Sequence, residues 1–314
     1  MKKKKNKSKI TLISLSIIWI FSLCAAATYA WVARSWTPTL EYGEINIATS
    51  GAIVIQIDDK DGVTGAYNEI NLNDLMDVHS FALKQVSSSN GRNFLGADFN
   101  PVLSGKSPIY STDVSGKYIE TKFNLVAQKY NSDELTNIKN VFIHPDSKLT
   151  YNPLTTYEED PETGSVVAIE DDSFNVEKAI RVSIDVQGIE NPFIFCADRD
   201  DLDAKDGIFD GLYAVDTSEF GIKNSENKDI FVDYNTDDEK LNSKVLSSQQ
   251  CYSFSFFDGS SPTKTLFQIN EKVPLRVTVR IWLEGCDPYC VDEIAGKSFS
   301  LLLKFDCVDA PAIN

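Results

Sequence analysis

The feature that most constrains the fold is an alternation of apolar and polar residues with a period of two. Leu275–Leu283 and Ile180–Val186 show it without interruption. Successive side chains of a β-strand point to opposite faces, so this pattern is typical of a strand with one buried face. Shorter segments predict further strands: Ile45–Ile57, Tyr118–Ala127, Val141–His144, Pro192–Cys196, Ile230–Tyr234, Tyr252–Phe257, Leu266–Ile269 and Phe299–Phe305.

Helical patterns are few. Leu72–Lys84 and Ser132–Lys139 are predicted as short helices, and turn-forming pairs such as Asn90-Gly91 separate the strand segments. Many strands with few helices predict an all-β sandwich or barrel.

Three acidic stretches interrupt the strand pattern: Asp146–Asp172, Asp198–Asp210 and Ser225–Lys244. No fixed-period repeat and no linker rich in Pro, Ser and Gly divides the chain. Residues 31–314 are therefore expected to form a single elaborated β-sandwich domain with loop insertions around 146–172 and 198–244. A domain boundary near residue 150 is the alternative.

The N-terminus predicts export. A lysine-rich start precedes the apolar run Ile10–Ala30, whose end is rich in small residues. This order is typical of a secretory signal peptide, here residues 1–30, cleaved between Ala30 and Trp31 or, alternatively, after Ala27. The run is also long enough to span a bilayer, so an uncleaved membrane anchor through residues 10–30 remains open. Either alternative places the rest of the chain outside the cell.

The charge balance excludes one class of partner. The chain has 30 Lys and Arg against 46 Asp and Glu, and six of the lysines lie in the first ten residues. Without residues 1–30 the net charge is −22. Such a surface repels phosphate backbones, so nucleic-acid binding is not expected.

The acidic stretch after Cys196 is a candidate Ca²⁺ site. Hard cations bind six to eight oxygen ligands, and a glycine-containing acidic loop can supply them. The spacing does not fit the helical Ca²⁺-loop template, and a solvated loop is the alternative. The candidate ligands are Asp198, Asp200, Asp201, Asp203, Asp206 and Asp210.

Five cysteines follow the signal region: Cys196, Cys251, Cys286, Cys290 and Cys307. An extracellular compartment permits disulfides, and the odd number leaves at least one thiol over. Cys286 and Cys290 can close a short loop as a disulfide, or both can be free thiols. A zinc site would need a second pair and histidines.

No catalytic pattern stands out. The sequence has no Gly-x-Ser-x-Gly turn and no His-Glu-x-x-His helix, and His79 and His144 are its only histidines. The protein is therefore not expected to be an enzyme.

Two separated regions resemble known proteins. The first is the segment around Ala26–Trp31 followed by Ile45–Asp58. It resembles the TasA/camelysin group of exported Gram-positive surface and biofilm-matrix proteins, which carry a specialised SipW-type signal peptide. The second, Val279–Gly285 with Phe299–Phe305 and Ala179–Ser183 upstream, resembles the closing strands of clostridial-type relatives of that group.

This resemblance implies a jelly-roll-like antiparallel β-sandwich on the cell surface, processed by a dedicated signal peptidase. Fibre-forming members assemble by donor-strand exchange, in which the N-terminal segment of one subunit completes the sheet of the next. The implied donor residues are Trp31, Trp36, Leu40, Tyr42, Ile45 and Ile47. Camelysin has been classed as a metallopeptidase, but a zinc-binding helix is missing from this sequence.

Two functions follow as expectations. The first is a secreted structural protein, a fibre or biofilm-matrix subunit that self-associates into filaments without catalysis. The alternative is an extracellular binding module whose Ca²⁺-stabilised acidic loop engages a glycan or a protein.

Overall fold

The computed structural model describes residues 39–50, 52–58, 64–72, 82–98, 109–111, 114–128, 138–152, 154–159, 166–171, 175–200, 202, 204–205, 207–215, 246–290 and 297–310. All of them belong to one compact unit, Pro38–Asn314, and a separate unit covers Met1–Thr37. The predicted cleavage residues Ala30 and Trp31, and also Trp36, lie outside the described residues. Within the described ranges, the structure shows no helix with the length and apolar character needed to cross a bilayer.

Strands dominate the described residues. In chain order they are β1 Thr39–Thr49, β2 Ile53–Asp58, β3 Thr64–Tyr67, β4 Glu69–Asn71, β5 Ala82–Ser87, β6 Leu95–Asp98, β7 Ile109–Ser111, β8 Ile119–Ala127, β9 Ile138–Ile143, β10 Lys148–Asn152, β11 Leu154–Glu159, β12 Val166–Asp171, β13 Ile180–Val186, β14 Phe193–Cys196, β15 Ala204–Lys205, β16 Ile208–Val215, β17 Leu246–Tyr252, β18 Phe267–Asn270, β19 Leu275–Glu284 and β20 Ser298–Asp309. Short 3-10 helices span Val176–Ala179, Phe254–Phe257 and Pro262–Lys264.

One layer, here called sheet A, is built around the last strand. β20 has β1 on one side and β9 and β10 on the other, and β9 pairs in turn with β18. The other edge of β1 pairs with β4 and β5.

The second layer, sheet B, is built around β19. β19 lies between β8 and β13; β8 continues to β2 and β3, and β13 continues through β14, β17 and β16 to β15. β5 connects the layers, because it pairs with β1 in sheet A and with the end of β19 in sheet B. β11 and β12 form a separate hairpin.

The predicted all-β sandwich is confirmed, but its pairing is mixed rather than purely antiparallel. β1 with β20, β14 with β17 and β19 with β5 are parallel pairs. Parallel neighbours need a crossover connection, so strands far apart in the sequence meet in the sheets.

The main core lies between the two sheets and confirms the period-two prediction. Val182 and Ile184 of β13, Val279 of β19, and Leu301 and Leu303 of β20 are buried in it.

The outer face of sheet B differs from the sequence prediction, which placed its polar positions in water. Trp282 and Arg181, which are register partners on this face, are both fully buried. A second apolar cluster covers part of this face, formed by Val86, Phe94, Ile194, Cys196, Phe209, Leu212, Cys251 and Trp282.

Several predicted elements have other structures. The strand predicted at Tyr252–Phe257 is wrong: only Tyr252 lies in a strand, as the last residue of β17. Phe254–Phe257 form a 3-10 helix, in which Phe254 and Phe257, three residues apart, are both buried on one side of the turn. The helices predicted at Leu72–Lys84 and Ser132–Lys139 are wrong at their C-terminal ends: Ala82–Lys84 lie in β5, and Ile138–Lys139 lie in β9. The acidic stretch Asp146–Asp172, predicted as a loop, contains β10, β11 and β12. The predicted strand Ile230–Tyr234 lies outside the described residues.

Candidate functional site

The described part of the segment predicted to be the donor strand, from Thr39 onward, lies in this chain's own sheet. β1 pairs with β20 from Glu41 opposite Ser298 to Thr49 opposite Phe305. The backbone of Tyr42 takes part in this pairing, opposite Phe299. The side chains of Leu40, Ile45 and Ile47 are fully buried in the main core.

A bulge between Tyr42 and Ile45 interrupts the pairing of β1 with β20. Gly43 occupies it, and a Cβ atom there would lie 2.8 Å from Ser300 Oγ and 2.9 Å from Asn152 Nδ2. A side chain here would displace Ser300 or Asn152, so glycine suits the bulge, across which the register of β1 against β20 shifts by one residue.

Within the described residues, β1 is joined to the rest of the fold at its C-terminal end. The connection to β2 passes through residues 50–52 and crosses from sheet A to sheet B. The amide of Ser50 donates to the Phe305 carbonyl at 2.9 Å, and the amide of Thr49 donates to the Asn68 carbonyl at 2.7 Å.

The candidate Ca²⁺ ligands are only partly described. Asp198, Asp200 and Asp210 are exposed, and Asp200 forms an ion pair with Lys178. The part of the chain that is described contains no group of three His, Cys, Asp or Glu residues that could hold a metal ion. The other three candidates, Asp201, Asp203 and Asp206, lie outside the described residues.

Cys286 and Cys290 are free thiols, like the other described cysteines. Each contacts β5: Cys286 Sγ lies 3.5 Å from Ser87 Oγ, and Gln85 Nε2 donates to Cys290 Sγ at 3.2 Å. Burial raises the pKa of the Cys290 thiol, which keeps it neutral. In this structure the turn after β19 is therefore held against β5 by side-chain contacts.

A buried charged cluster lies on the outer face of sheet B, and the sequence reading missed it. Asp287 accepts hydrogen bonds from Arg181 Nη2 and, at 2.7 Å, from Arg199 Nη1. Arg181 Nε also donates to Gln249 Oε1 at 3.1 Å. All four side chains are buried. Removing a charge from water has a large desolvation cost, so buried charges are found where they are paired and hydrogen-bonded, as they are here.

Glu284 extends the same cluster and is fully buried. Its carboxylate accepts hydrogen bonds from Trp282 Nε1 at 2.9 Å, from the Ser88 amide at 3.3 Å and from the Cys286 amide at 3.2 Å. Burial raises the pKa of Glu284, and hydrogen bonds from the Ser87 and Trp282 side chains and the Cys286 amide oppose that shift.

Two buried thiols complete the cluster. Cys196 of β14 and Cys251 of β17 are both buried, Cys196 is the register partner of Arg181, and Cys251 Sγ donates to Gln249 Oε1 at 3.5 Å. The neighbouring Cys251 thiol lowers the pKa of Cys196, and burial raises the pKa of Cys251. Because these groups are enclosed, the cluster fixes the turn after β19 to sheet B.

One signal in the sequence points to this cluster. Arg181 and Trp282 are the polar-face residues of two strands that pair directly. A tryptophan is rarely left in water, so Trp282 indicates that this face is covered.

The chain was compared with known proteins. No family model matches it. Neither the curated proteins nor the solved structures give a significant match to it.

Proposed function

We propose that this protein is an exported structural subunit of the cell surface that assembles head to tail by exchange of β1, with no catalytic role. The observation that carries the proposal is the place of β1: it has paired neighbours on both edges and is joined to the described fold at one end. The N-terminal export pattern and the resemblance to fibre-forming surface proteins agree with it.

Exchange would preserve the contacts of β1. If β1 of one subunit enters the same position in a neighbour, the pairing with β20 forms between two chains instead of within one. Leu40, Ile45 and Ile47 then fill the neighbour's core. Since the same contacts are made in both states, domain swapping has a low equilibrium cost. The kinetic barrier to exchange is the opening of the sheet, in which β1 must separate from β20, β4 and β5.

The contact made in this way is head-to-tail. Such contacts form open filaments unless the rotation between subunits closes a ring. The net charge of −22 on residues 31–314 opposes close packing of subunits, so salt should favour assembly by screening this repulsion.

A pair of cysteines separates the two states. Asn46 and Leu302 are register partners of β1 and β20, and both side chains are partly exposed. Partners on neighbouring strands are close enough for a disulfide. In the Asn46→Cys, Leu302→Cys variant, the disulfide forms within one chain if β1 stays in its own sheet and between chains if it is exchanged.

We expect a ladder of covalent multimers on a non-reducing gel of the assembled, secreted variant. The two single variants and the parent chain, which retains its native cysteines, are the controls and should not give this ladder. If the variant forms only the bond within one chain at every protein and salt concentration tested, the proposal is wrong.

A further inference from the structure

Three charged side chains lie where an apolar core would be expected, at one end of sheet A. On β9, Lys139 continues the inward-facing series of Ile143 and Val141, which are fully buried. Asp309 lies opposite Lys139 on β20, and Glu271 directly follows β18 on the other side of β9. The side chain of Lys139 is 3% exposed.

Lys139 contacts both carboxylates. Its Nζ atom forms an ion pair with Asp309 Oδ1 and lies 3.4 Å from Glu271 Oε1. The side chain of Glu271 is 12% exposed and that of Asp309 is 26% exposed. The amine is thus buried between two carboxylates, and the Asp309 carboxylate is the more exposed of the two.

We propose that Lys139 and Asp309 become joined by an intramolecular amide bond, an isopeptide bond between β9 and β20, and that Glu271 transfers the proton. The Nζ–Cγ bond forms and one Cγ–O bond of Asp309 breaks. The ammonium and the carboxylate together yield the amide and one water molecule, so atoms and charges balance. No oxidant or reductant takes part.

The geometry favours this reaction in two ways. The sheet register holds the amine against the carboxyl group, and such fixed proximity replaces a collision in solution. The product is neutral, so it removes the cost of keeping an ammonium ion buried.

Glu271 has the position that proton transfer requires. Nζ must lose a proton before it can attack, and the departing oxygen must gain protons to leave as water. A carboxylate within reach of Nζ can do both. Burial lowers the pKa of Lys139, but its two carboxylate partners raise it by more, so the pKa lies above its ordinary value. The reactive neutral amine is therefore the minor form, and we expect a slow reaction that occurs once per chain.

A second buried lysine provides the contrast. Lys178 also forms an ion pair with an aspartate, but Asp200 is 84% exposed. The other partner of Lys178 Nζ is the hydroxyl group of Tyr289, at 3.5 Å, rather than a carboxylate. No bond is proposed at Lys178.

Mass spectrometry of the reduced, secreted protein tests the proposal, once its N-terminus has been sequenced. We expect an intact mass below that of the sequence by one water molecule. We also expect trypsin to release residues 130–148 and 305–314 as one linked species, because a modified Lys139 is not cleaved.

Four variants identify the groups. Lys139→Arg and Asp309→Ala should have the full sequence mass. Glu271→Gln should fold, keep both linked residues and lose water much more slowly. Lys178→Arg should lose water like the parent chain. A folded parent chain with full sequence mass, or a loss of water that persists in Lys139→Arg, would overturn the proposal.

Discussion

Asp287 is buried between two arginine side chains, and its replacement removes this carboxylate from both guanidinium groups. We predict that Asp287→Ala lowers the free energy of unfolding by about 3–5 kcal/mol, because a buried charge without its partner keeps its desolvation cost. Urea denaturation measures this loss. The control is Asp146→Ala, since Asp146 is exposed beside Lys304. An equal effect of the two substitutions would contradict the prediction.

Glu284 should make stability depend on pH. Burial raises its pKa in the folded protein above the ordinary value of 4.5, so the folded state keeps a proton that the unfolded state has released. Stability is therefore lost as the pH rises from the ordinary value through the folded pKa.

Glu284→Gln removes this dependence. We predict that the stability of the parent chain, relative to this variant, falls as the pH rises from about 4 to about 7. Thermal or urea unfolding across this range measures the difference. Glu69→Gln, at an exposed position, is the control for the loss of one charge. A constant difference between the parent chain and Glu284→Gln would show that Glu284 does not titrate differently in the folded state.

At this scale, sequence reasoning found the buried apolar residues and missed the buried charged ones. The inward positions of β13 and β19 follow from alternation alone. Alternation also predicted that Arg181 faces water. The prediction failed because the residues that bury Arg181 (Arg199, Gln249 and Asp287) come from segments distant in the sequence. Lys139 and Asp309 could not be paired for the same reason.

Among the elements, β1 is the strand whose loss should be repaired by adding it back as a peptide. A chain that begins at residue 50 lacks the strand between β20 and β4, and its core lacks Leu40, Ile45 and Ile47. We predict that this chain is strongly destabilised and that a peptide of residues 38–49 restores its melting temperature, because binding to the native state stabilises it.

Calorimetry with and without the peptide measures this rescue. A peptide with Ile45→Asp and Ile47→Asp is the control and should not rescue the chain, because both side chains are buried. If the chain without β1 melts like the parent chain, β1 is not required for the fold.

Strand existence was easier to predict than strand partners. β13 has the predicted bounds, and β8 and β19 differ from theirs by one residue. The parallel pairing of β1 with β20 joins the two ends of the described chain, and no local pattern specifies such a partner or its direction. The segment predicted to be a donor has the expected strand character, but only the fold shows which sheet it completes.

At the scale of the whole molecule, one outer sheet face departs from the predicted sandwich. The predicted sandwich placed one face of each sheet in solvent, whereas the second apolar cluster and the charged groups beside it cover part of the outer face of sheet B. Composition could not show this, because such a cover is built from short segments far apart in the sequence.

The parallel alignment of the first and last strands also determines how the molecule would respond to tension. The chain enters β1 at Thr39, two residues before Glu41, which is the partner of Ser298, and leaves β20 at Asp309, at the opposite end of the pair. A pull on the two termini acts along the strands in opposite directions and loads their hydrogen bonds together, in shear. An antiparallel pair pulled from one end would open one bond at a time.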